Sequence, residues 1–124
     1  MKTLSPLQLA RNLTEYWSPR VIAELDDSYV KVAKLNGTIV RHKHDHEDEL
    51  FLVLEGELRI EIDNQESLLK AGEMVVVPKG VMHQPFAESD CLVMLVERKS
   101  TQHTGDEVTE MTRSVAEQLR PPGS

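Results

Sequence analysis

Between residues 20 and 98 the chain is divided into short apolar runs by turn-forming residues at nearly even intervals, and this rhythm restricts it to an all-β architecture, a sandwich or a barrel. The runs at 21–25, 29–35, 38–44, 49–62, 67–70, 73–78, 81–87 and 91–98 read as strands. Asp26-Asp27-Ser28, Asn36-Gly37, Asp63-Asn64, Ala71-Gly72 and Pro78-Lys79-Gly80 supply the turns between them. Ahead of this region, Ser5-Pro6 has the form of a helix start, with Ser as N-cap and Pro at the first helical position. Leu7, Leu9, Ala10 and Leu13 give that helix one apolar stripe, and Trp17-Ser18-Pro19 ends it. The expected organisation is an N-terminal helical arm over 1–19, a β-barrel over 20–104 and a polar tail over 105–124 that is either a short helix, an arm or unstructured.

A chain of 124 residues buries one core, and with 4% aromatic residues that core rests on Val, Leu, Ile and Met. Met74, Met82 and Met94 are expected to fill it. A net charge of −7 argues against a nucleic-acid or anionic-membrane surface, and no run approaches the length of a membrane span. The N-terminus lacks the continuous apolar stretch of a signal peptide. The single cysteine, Cys91, opens the apolar run CLVMLV and is expected to be a buried, inert thiol, in keeping with a reducing, cytoplasmic location.

One polar stretch does not behave like a loop. HKHDHEDE, residues 42–49, sits between Gly37-Thr38-Ile39-Val40 and Leu50-Phe51-Leu52-Val53-Leu54, two runs that call for burial. On an extended chain Val40, His42 and His44 share one face while Arg41 and Lys43 share the other. Glu49, if it faces inward with Phe51 and Val53, returns a carboxylate to the same neighbourhood. His83, just beyond the Pro78-Lys79-Gly80 turn, supplies a third imidazole. Such a donor set suits a divalent transition ion such as Fe, Mn, Ni, Co, Cu or Zn and leaves coordination positions open. Asp48 is an alternative carboxylate if the strand register slips by one, His46 belongs to the exposed acidic turn, and His103 reads as structural.

The arrangement resembles the two signature motifs of the cupin family. The first is a glycine, His-x-His, three or four residues, Glu, six residues and a glycine, here Gly37, His42-Lys43-His44, Glu49 and Gly56. The second is a glycine, five residues, Pro-x-Gly, two residues and His, here Gly72, Pro78-Lys79-Gly80 and His83. Two positions depart from the pattern: four residues rather than five separate Gly37 from His42, and Ala87 stands where the second motif often closes with Asn. The segment Thr104-Gly105-Asp106-Glu107 resembles, more loosely, small stand-alone cupins related to mannose-6-phosphate isomerases.

The resemblance implies a jelly-roll-like barrel holding one divalent transition metal ion through His42, His44, Glu49 and His83. It also implies a homodimer. The expected function is a metal-dependent enzyme, dioxygenase- or isomerase-like, acting on a small molecule in the barrel mouth; the alternative is a non-catalytic sensor or ligand-binding module. No separate general base stands out in the sequence.

Overall fold

The computed structural model describes residues 2–105 and 107–124, so Asp106 of the Thr104–Glu107 segment lies outside the described residues. As expected, Ser5 caps helix α1 (Pro6–Arg11), its hydroxyl accepting from the Gln8 amide. Seven strands follow: β1 (Arg20–Leu25), β2 (Ser28–Thr38), β3 (Glu49–Glu55), β4 (Glu57–Ile62), β5 (Gln65–Lys70), β6 (Met74–Val77) and β7 (His83–Arg98). A short helix α2 (Val115–Gln118) lies in the tail. The architecture is the all-β one expected from the spacing of turns.

Strand β7 is the spine. One edge pairs with nearly the whole of β2, while the other pairs first with β4 and then with β3. The full order is β1-β2-β7-β3-β6, with β4 bridging β7 to β5. Alternation places Ala33, Leu35, Phe51, Val53, Val77, Val93 and Leu95 on the inner face, where they join Leu58 and Ile60 in the main core. Helix α1 covers part of the outer face through Ala10 and Leu13 packed on Val32 and Leu92.

Five expectations are corrected. The run 38–44 is not a strand: β2 ends at Thr38, and His42 makes a single isolated bridge with His83, each amide donating to the other's carbonyl at 3.0 and 2.8 Å. The run 49–62 is two strands, broken at Gly56, where φ is +85° and a Cβ would lie 2.7 Å from the Asp90 carbonyl oxygen. The runs 81–87 and 91–98 fuse into one strand, because Asp90, pinned by Tyr16 and Asn36 at 2.8 and 2.9 Å, keeps the middle of β7 extended. Asn36-Gly37 is consequently a register shift within β2, not a turn. Met74 and Met82 also prove exposed rather than core-filling.

The polar tail is docked. Ser114 and Glu117 form a reciprocal capping box at the start of α2. Arg20, buried at the start of β1, donates to the carbonyl oxygens of Pro121 and Ser124 at 2.9 and 3.1 Å. Among the described residues, no helix is long and apolar enough to cross a membrane.

Candidate metal centre

The His42–His83 bridge ties the two motif segments back to back, and the sheet brings Glu49 to them from the first position of β3. His42, His44, Glu49 and His83 are all buried, and each offers one donor atom within 4.8 Å of every other. Ring centroids are 4.4 to 5.5 Å apart for the three imidazole pairs. Glu49 Oε1 lies 3.5 Å from His44 Nε2 and 3.4 Å from His83 Nε2, close but without hydrogen-bond geometry. Four donors bound at about 2.1 Å to one ion stand about 3.0–3.4 Å apart when neighbouring and about 4.2 Å when opposite. The observed separations need only a small contraction to meet that requirement.

Hydrogen bonding makes the same point. His42 Nδ1 lies 2.7 Å from the Val40 carbonyl oxygen and His83 Nδ1 lies 3.1 Å from that of Val81. Each imidazole donates its Nδ1 proton to main chain, which leaves the Nε2 lone pair free, an arrangement typical of metal-binding histidine. His42 Nε2, His44 Nε2, His83 Nε2 and Glu49 Oε1 are all buried with no hydrogen-bond partner. Orphaned buried polar atoms are rare in folded proteins. Four of them converging on one point, each able to offer a lone pair, fit a cation. Burial pushes the His42 imidazole down to about 4, so it presents a neutral lone pair at neutral pH.

The neighbouring candidates separate clearly. Asp48 is exposed and accepts from the Lys79 amide at 2.9 Å, so it serves the Pro78-Lys79-Gly80 turn. His46 is exposed. His103 is buried and does more than hold structure. With His42, Glu49 and Glu97 it lines a cavity of about 30 Å³, room for about two waters at 10–15 Å³ each. The remaining walls are apolar, among them Trp17, Leu35, Ile39, Phe51 and Leu95. His103 Nε2 accepts the Arg113 amide at 2.7 Å, which leaves the ring proton on Nδ1.

Glu97 and Lys31 escaped the sequence reading. Glu97 stands directly opposite Glu49 across the β3–β7 ladder, and the Lys31 ammonium donates to Glu97 Oε1 at 2.7 Å. Lys31 is 1% and Glu97 2% exposed. Burial first, then the negative Glu49 beside it, pushes the Glu97 carboxyl well above the carboxylate range. Glu49 is held well below it, against the cost of burial, by the polar Glu97, His44 and His83 side chains around it. Alternation carried the signal: Glu97 follows Cys91, Val93 and Leu95 on the inner face of β7, and Lys31 precedes Ala33 and Leu35 on that of β2.

Comparison with known proteins agrees with this geometry. The cupin domain matches residues 29–97. The uncharacterized protein YdbB of Bacillus subtilis is 34% identical over 97 residues, covering 77% of this chain and 86% of that protein. A cupin-2 domain containing protein from Shewanella frigidimarina superposes with a TM-score of 0.75 at 41% identity, over 78% of this chain and 95% of its own. A protein from Neisseria meningitidis does so with a TM-score of 0.71 at 29% identity, over 79% and 100%. With the fold, both motifs and the buried His/Glu group in place, the chain belongs to the cupin family.

Proposed function

We propose that this protein is a metal-dependent enzyme acting on a small molecule, with His42, His44, Glu49 and His83 holding one divalent transition ion. The observation that carries the reading is the convergence of four buried atoms, each able to offer a lone pair and none with a hydrogen-bond partner. A bound ion would supply Lewis acidity and open coordination positions, and with a redox-active metal a route to dioxygen chemistry. The chain's own residues define what can approach. Trp17, Leu35, Ile39, Phe51 and Leu95 line the approach with apolar surface, while His103 and Glu97 place titratable groups on the cavity wall.

Those walls favour a compact, largely apolar substrate over a sugar. A sugar carries a hydroxyl on nearly every carbon, and a buried hydroxyl without a partner costs about 1–3 kcal/mol. The lining offers few such partners. Dioxygenase-like chemistry is thus better supported than isomerisation of a sugar phosphate. The small cavity also suits capture of a small ligand without turnover, which is the second reading.

The test is a screen of protein loaded with Fe(II), Mn(II) or Zn(II) for oxygen uptake and isomerase activity against small acids, diketones and sugars. Oxygen uptake dependent on a small acid or diketone is expected. Sugar isomerisation would overturn the preference stated here, and binding without turnover across the panel would favour the sensor.

A homodimer is part of the same proposal. On the outer face, Val76, Leu50 and Val96 lie in one cross-strand row and Met74, Leu52 and Met94 in the next. Met74 is 53% and Val76 46% exposed at the edge strand β6. Contiguous exposed apolar rows of this kind mark association surfaces.

A further inference from the structure

The tail is joined to the cavity wall beside the candidate centre by a run of short hydrogen bonds. Starting from the cavity wall, His103 Nε2 accepts the Arg113 amide at 2.7 Å. The Arg113 carbonyl accepts from Gln118 Nε2 at 2.9 Å, and Gln118 Oε1 accepts from the Lys31 ammonium at 2.6 Å. Lys31 donates in turn to Glu97 Oε1 at 2.7 Å, and Glu97 faces Glu49 across the ladder. This run thus leaves the cavity at His103 and re-enters it at Glu97 and Glu49. Gln118, on a four-residue helix at the molecular periphery, is 1% exposed, as buried as the core. A helix held only for its own stability would have no need to send a glutamine to a buried ammonium.

We propose that Gln118 and Lys31 are positioning residues of the metal centre: acting through Glu97, they fix the orientation of the Glu49 carboxylate although neither touches the ion. The proposal rests on the reading of His42, His44, Glu49 and His83 as ligands. The segment from Arg113 to Gln118 is then part of the site. A carboxylate ligand swings about its side-chain torsions, and outer partners that restrain it change metal affinity by about 10–100-fold when removed. Glu97 stands directly opposite Glu49 in the ladder, so the space open to the Glu49 carboxylate depends on where Glu97 lies, and Lys31, itself held by Gln118, fixes that position through Oε1.

The experiment titrates metal-free protein with Co(II) and follows its visible absorption, in wild type, Gln118→Met, Gln118→Glu and Lys31→Met. Wild type should bind one Co(II) per chain. Gln118→Met and Lys31→Met should keep that stoichiometry but bind about tenfold or more weakly, with a shifted Co(II) spectrum. Gln118→Glu retains an acceptor for Lys31 and should keep the wild-type spectrum. Because Gln118 lies outside the barrel strands, its variants decide the matter if Lys31→Met does not fold. Gln118→Met with wild-type affinity and spectrum would overturn the positioning role while leaving the metal site intact. Wild-type protein that takes up no Co(II) would overturn the ligand assignment and the positioning role together.

Discussion

The His103 ring is the most direct probe of how dry the cavity wall is. Burial first, then the Lys31 ammonium, push its titration down to about 4 from an ordinary 6.5. The folded state thus favours the neutral ring, and the unfolded chain takes up a proton that the folded chain refuses. Its contribution is fully present above pH 6.5 and is lost as pH falls from about 6.5 to about 4. The gap is worth about 3.4 kcal/mol below pH 4, and about 2 kcal/mol at pH 5, at about 1.36 kcal/mol per pH unit. Other groups titrate in the same interval: His42 with the same sign, Glu97 with the opposite one. A difference between wild type and His103→Gln cancels them. Urea unfolding of metal-free protein at pH 8 and pH 5 should show the variant losing about 2 kcal/mol less than wild type between the two. For a chain of this size that is about 8 °C in melting temperature. Equal pH dependence in the two proteins would show that His103 is solvated and that the cavity wall is not the apolar surface described above.

Three further outcomes follow from the geometry. His83→Ala removes one of four donors and should lower metal affinity by at least about 100-fold, at about 3 kcal/mol per ligand, while circular dichroism still reports a folded barrel; full metal content by elemental analysis would refute the assignment. Gly105→Ala should cost about 2–3 kcal/mol in urea unfolding, because at φ +62° its Cβ would lie 2.1 Å from the Lys43 carbonyl oxygen, whereas Gly72→Ala, at φ +87° with nothing within 4 Å, should cost about 1 kcal/mol; equal losses would mean that the 101–105 loop is not seated on the histidine segment. Val76→Lys, at the edge-strand end of the apolar rows, should convert a dimer to a monomer by light scattering without loss of metal, and an unchanged mass would place the interface elsewhere.

Much of the site was legible because its signals are periodic and local. The Cys91–Glu97 alternation, the Asp63-Asn64 hairpin, with φ of 49° and 65°, and the Pro78-Lys79-Gly80 turn each follow from two- to eight-residue chemistry. His42 and His44 were rightly grouped, although for an incomplete reason. They share a buried side of an extended segment that joins the sheet by one bridge only, since the acidic residues that follow have no second buried face to fill. What escaped is tertiary. Whether Gly56 breaks a strand depends on the Asp90 carbonyl 34 residues away in sequence, and whether Ser89-Asp90 turns depends on Tyr16 and Asn36. The tail escaped for a related reason: its anchors, Gln118, Pro121 and Ser124, look like any polar terminus until Lys31 and Arg20 come within reach.

Those two buried cations say what the tail is for. A lysine on the inner face of a central strand is an expensive choice in a chain this small, since a buried ammonium must be fully partnered or it destabilises the fold by several kcal/mol. A leucine at position 31 would pack beside Ala33 and Leu35 at no such cost. Lys31 is retained with two partners at 2.6 and 2.7 Å, one of which comes from the far end of the chain. Stability alone does not explain that arrangement. Control of a neighbouring carboxylate does, because Lys31 compensates the second buried acid, Glu97, that stands directly behind the only anionic donor of the centre. In the proposed centre the barrel would supply the ligands, and the tail the polar wall that keeps one of them in place.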